Sequence, residues 1–92
     1  MRHVASWPHT PGASRTYELL WEEAEDDPIV SETYEVVEGS GVTITAVLPD
    51  GTMRRFRAEG GTDGTQIYIR HSVVFTSGDE DSRVVRLVVG DR

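Results

Sequence analysis

The chain contains no cysteine, no lysine and no asparagine. Without cysteine there are no disulfides and no thiolate metal sites, and the redox compartment stays open. Without lysine or cysteine the strongest nucleophiles are gone, and no phosphate-binding loop can offer its usual lysine. Lysine and asparagine both use AT-rich codons, so their joint absence reads as coding bias in the source rather than as function. No apolar run approaches the ~18 residues of a membrane-spanning helix. The first residues lack the apolar core of a secretion signal. A cytoplasmic protein with no membrane partner is expected. Cations are also missing locally, since no arginine lies between Thr16 and Met53.

What remains is a chain of 92 residues, enough for one small domain. Hydrophobic residues make up 37% and charged residues 27%, a balance that excludes a disordered chain. Net charge is -7, unevenly placed. The stretch from Thr16 to Met53 holds ten acids and no cation, whereas the rest sets nine arginines against six acids. A phosphate backbone is repelled by such a stretch, because binding it needs cations that displace counterions. Direct binding of nucleic acid is therefore not expected. The complement of this surface is a protein with a basic face. The plainer reading is that the acids keep a small domain soluble. The acids chosen as candidate partner-binding residues are Glu22, Glu23, Glu25, Asp26 and Asp27, which follow Trp21 in one run, and Glu32.

Residues 1–14 carry two prolines, a glycine and no sustained period, which predicts a flexible N-terminal arm ahead of a β-rich domain over 15–92. Trp7 is the odd member of that arm.

Residues 42–58 carry the clearest pattern. Val42 to Leu48 alternates and is β-branched, and Pro49-Asp50-Gly51 supplies turn chemistry. A three-residue loop would pair Ala46 with Arg54, Ile44 with Phe56 and Val42 with Ala58, with Leu48 against Thr52. A second tight turn at 38–42 would set Val36 beside Ile44, Tyr34 beside Ala46 and Glu35 beside Thr45. Further on, Ile67, Ile69, His71, Val73 and Phe75 share one strand face, and Val85, Leu87 and Val89 supply a last strand.

The expected fold is mainly β: five to six antiparallel strands as a small barrel or sandwich. The alternative is α+β, with one or two N-terminal helices on a four-stranded antiparallel sheet. Asp27, Pro28 and Gly39 carry helix start and stop signals, and Tyr17, Leu20, Trp21 and Ala24 make a helical stripe.

Few groups suggest chemistry. Gly60-Gly61-Thr62-Asp63-Gly64 precedes a strand, whereas a phosphate loop opens a helix. Asp79-Glu80-Asp81 lacks the twelve-residue calcium pattern. His3, His9 and His71 are too scattered for a zinc site. Arg55 and Arg57 share a strand face, where cross-strand charge pairs would satisfy them.

No catalytic residue, metal or cofactor is expected. The leading expectation is a non-enzymatic acidic protein-binding module, in its concrete form a phage-type inhibitor of the anti-CRISPR or anti-restriction class that docks where phosphates would sit. The alternatives are a structural or assembly module of a virion or larger complex, binding through a sheet edge, and a small-ligand β-barrel. Oligomeric state is not legible in the sequence.

Overall fold

A computed structural model describes residues 3–50 and 53–90. These form seven strands: β1 (His3–His9), β2 (Ser14–Leu20), β3 (Ile29–Glu38), β4 (Val42–Asp50), β5 (Met53–Gly60), β6 (Gln66–Phe75) and β7 (Glu80–Val89). One turn of 3₁₀ helix, Glu22–Glu25, lies between β2 and β3. The strands make two sheets, one in the order β1-β7-β6-β3 and the other β2-β5-β4. Neighbours are antiparallel except β1 and β7, which run parallel. The fold is of the mainly β class expected from the alternation, a sandwich rather than a barrel, with seven strands among the described residues where five to six were expected and one parallel pair where all were expected antiparallel.

The core lies between the sheets. Strand β6 alternates with period two, so Ile67, Ile69, His71, Val73 and Phe75 all point inward and are buried. Val85, Leu87 and Val89 join them from β7. The facing sheet contributes Leu19, Phe56 and Ala58, with Trp21 just past the end of β2. Each large apolar side chain buried here contributes roughly 1.5–3 kcal/mol.

Several expectations are corrected by the non-local pairing. In the β4–β5 hairpin Ala46 lies opposite Phe56 and Ile44 opposite Ala58, two residues away from the pairing read from sequence. A shift of two keeps every side chain on its face, so Phe56 and Ala58 are buried and Val42 and Ile44 half-buried as expected, whereas Ala46 and Leu48 of the same face are exposed. The cause is an irregularity between Val47 and Asp50, after which Asp50 pairs with Met53. The expected Leu48–Thr52 pair and the tip of the turn lie outside the described residues.

Strand β3 does not pair with β4. It crosses to the other sheet, where Tyr34 lies opposite His71 and Glu35 opposite Arg70. The crossing is made at Gly39 and Gly41, at φ of +93° and +92°, a region side chains other than glycine disfavour. Glu35 therefore pairs with Arg70 at 3.1 Å, and Arg55 pairs with Glu18 at 3.0 Å. The helices of the α+β alternative are not formed: its first segment is β2 followed by the single 3₁₀ turn, and its second is β3.

Residues 3–9 of the expected arm form β1, which covers the outer edge of β7. Trp7 stacks on Tyr17, with ring centroids 5.3 Å apart and planes 7° from parallel. The neighbouring His9 is buried, with its Nε2 3.0 Å from the Gly60 carbonyl and its Nδ1 2.7 Å from the Tyr17 hydroxyl.

Strand β3 is a sheet edge with two register breaks, between Ile29 and Ser31 and between Val36 and Glu38. Val30 and Val37 are the extra residues, and both are exposed. Such bulges twist an edge and discourage unplanned pairing.

Candidate functional site

Two features meet at one end of the sandwich, a buried polar bolt and an exposed acidic rim. The bolt joins the sheets. Trp21 Nε1 donates to His71 Nδ1 at 3.2 Å. That nitrogen must accept, so the imidazole proton is on Nε2, which lies 2.7 Å from Glu32 Oε1 and donates to it. The other carboxylate oxygen accepts from Arg54 Nη1 at 3.1 Å, and Arg54 Nη2 donates to the Ile29 carbonyl at 3.3 Å. Arg54 on β5 and Trp21, just past the end of β2, come from one side of the sandwich and His71 and Glu32 from the sheet opposite, so the chain of bonds spans the core.

Aromatic packing holds the bolt in place. Tyr34 stacks on His71 with centroids 4.2 Å apart, and the Arg83 guanidinium sits 3.8 Å above the Trp21 ring. Burial lowers the His71 pKa, and the Arg54 and Arg83 charges push the same way, against the raising effect of Glu32. Burial, reinforced by the Glu32 charge, raises the Tyr34 pKa. Both nitrogens of His71 and both oxygens of Glu32 are engaged. The pair holds the two sheets together.

The acidic rim starts from the same tryptophan. Trp21 is fully buried and anchors the residues that follow it. Glu22, Glu23 and Glu25 lie on the 3₁₀ turn and are exposed, as is Asp26 just after it. Asp27 turns to the β6–β7 loop, where it accepts from the Ser77 amide at 2.9 Å and the Ser77 hydroxyl at 2.6 Å. Glu23 lies 3.5 Å from Arg83, which also donates to the Leu20 carbonyl at 2.6 Å. Five of the six candidate residues thus share one loop. Glu32 stands apart, with its carboxylate held in the bolt at 15% exposure.

The sequence reading missed that Asp79, Glu80 and Asp81 belong to the same end. They are exposed, Asp79 in the β6–β7 turn and Glu80 and Asp81 at the start of β7, and the Asp27–Ser77 clip ties that turn to the first loop. More than fifty residues separate the two acidic groups, and no local pattern announces their meeting. Among the described residues no group of three or more His, Asp or Glu is arranged to hold a metal ion.

Strands β2, β5 and β4 form one sheet and β3, β6 and β7 the other, around a buried tryptophan. This is the partition of an immunoglobulin-type sandwich, with the first strand added in parallel to the last and with no inter-sheet disulfide. The crystal structure of the titin M3 domain is similar in fold, with a TM-score of 0.64 over 98% of this chain and 93% of that one at 16% identity. A fold of this kind does not by itself carry a function. Residues 9–88 match the family of the podophage GP4 fiber-tail adaptor protein gp77, and the chain belongs to that family. It is thus a phage structural or assembly module. Comparison with curated proteins found no match.

Proposed function

We propose that this chain is an adaptor module of a podophage tail, which joins neighbouring virion proteins by binding rather than by catalysis. The match to the fiber-tail adaptor family over residues 9–88 carries this reading. A small rigid sandwich suits such a role, since it presents loops and edges in fixed positions at little ordering cost. The exposed acids Glu22, Glu23, Glu25 and Asp26 form one contact, and the face they meet on the partner is basic. Asp27 serves that contact indirectly, by fixing the loop against Ser77. Glu32 acts from inside the fold.

The inhibitor expectation rested on charge alone. An acidic rim suits an assembly contact equally well, and the family favours assembly.

The test is to purify particles of the phage that encodes the chain and look for the protein by mass spectrometry and by labelled antibody at the tail. The expected result is a fixed stoichiometry in the tail. Infection that yields complete particles without the protein would refute the reading. For the contact itself, Glu22→Gln, Glu25→Gln and Asp26→Asn together should slow association with the tail partner and reduce its salt dependence. An unchanged association rate would remove the acidic rim from the interface.

A further inference from the structure

The outer face of the β3-β6-β7 sheet carries an open groove of about 540 Å³, lined by Ser31, Thr33, Ser72, Val74, Ser82 and Glu80 among others. Its shape follows from the register. Thr33 lies opposite Ser72 and Ser72 opposite Ser82, so three short hydroxyl side chains form one row across three strands. In the next row Ser31 lies opposite Val74, and Val74 opposite Glu80. On the other side the Glu35–Arg70 ion pair stands up as a wall. The register break between Ile29 and Ser31 bends β3 at the open end. Short side chains between bulky rows let another backbone approach the sheet closely, and hydroxyls both donate and accept.

Charge selects the occupant. Glu80 and Asp81 line the groove at the start of β7, next to the turn that carries Asp79, and the Asp27–Ser77 clip ties the loop of Glu22, Glu25 and Asp26 to that turn. A second copy of the chain would bring the same acids and a net charge of -7 against them. A nucleic-acid backbone is repelled for the same reason.

We infer that this groove seats an extended segment of a partner protein that carries arginine or lysine, with the hydroxyl row meeting its backbone and Glu80 meeting its cation. The inference rests on the adaptor reading only for placing that partner in the virion.

Two arms keep the inference and the adaptor reading separable. In the first, an octapeptide alternating arginine and threonine is titrated into the labelled chain and followed by amide chemical shifts, with a glutamate–threonine octapeptide as control. The arginine peptide should move the signals of Ser31, Thr33, Ser72 and Ser82, and the control should not. Ser72→Trp, which fills the groove from an outward position, and Glu80→Gln should each weaken binding at least about tenfold, the scale of losing a central contact or a charge pair. Thr45→Trp on the opposite sheet should bind as wild type. Thermal melts check that each variant folds. Shifts confined to residues 22–27, or equal binding by Ser72→Trp, would overturn the inference. The second arm uses tail particles assembled without this chain. Wild type that binds them alongside equally competent groove variants would leave the adaptor reading intact and overturn the groove. Wild type that binds the peptide in the groove but not the particles would overturn the adaptor reading alone.

Discussion

Replacing Glu32 with leucine tests whether the bolt across the core carries stability. The carboxylate accepts from two sheets at once, from His71 at 2.7 Å and from Arg54 at 3.1 Å. Hydrogen bonds to a charged group each contribute roughly 1.5–3 kcal/mol. Leucine also leaves the Arg54 guanidinium, only 14% exposed, without its counter-charge. Breaking a buried pair from one side costs roughly 3–5 kcal/mol, because the remaining charge is uncompensated. A small domain has only about 5–15 kcal/mol in total. Urea unfolding followed by tryptophan fluorescence is the assay, since Trp21 lies in the bolt and is fully buried. With a slope of roughly 1–2 kcal/mol/M, the midpoint should fall by about 2 M. Arg54→Met in the Glu32→Leu background should recover part of the loss, because no charge then stays unpaired. A loss under about 1 kcal/mol, or additive losses in the double variant, would refute this account.

Acid should loosen the same feature. Burial lowers the His71 pKa below its ordinary value of 6.5, so the unfolded chain takes up that proton first. Its contribution is complete above pH ~6.5 and is lost as pH falls from there toward the folded value, ahead of most carboxylates. Denaturant midpoints between pH 7 and 5 should decline in wild type and much less in His71→Gln; parallel curves would contradict this. Phe56→Ala, fully buried, should cost roughly 3–5 kcal/mol, whereas Val30→Ala on the bulge should stay near zero by the same unfolding assay. Gly39→Ala should destabilise by more than about 1 kcal/mol, since its Cβ would lie 2.6 Å from the Gln66 carbonyl oxygen at a positive φ; a neutral result would show that the crossover can relax.

By itself the sequence determined the later strands, β4 to β7, and the faces of most of their side chains, while it left 16–38 open between helix and strand and read 3–9 as part of an arm. Alternation at Ile67, Ile69, His71, Val73 and Phe75 is a local property, because successive side chains in a strand must point to opposite sides. The same logic placed Ile44, Phe56 and Ala58 inward even where the pairing was off by two. The exposed acids of the 22–27 run were also legible, since charge is read residue by residue.

Tertiary structure alone decided which strand meets which. The first strand lies parallel to the last, β3 leaves its sequence neighbour for β6, and residues 22–27 come together with 79–81. Each of these contacts closes a long loop and depends on partners that no local window contains. Glu32 shows the consequence most clearly. Its charge suggested a surface residue, but the pairing of β3 with β6 sets it beside His71 and Arg54. There the low-dielectric interior, rather than the partner surface, determines what the carboxylate does.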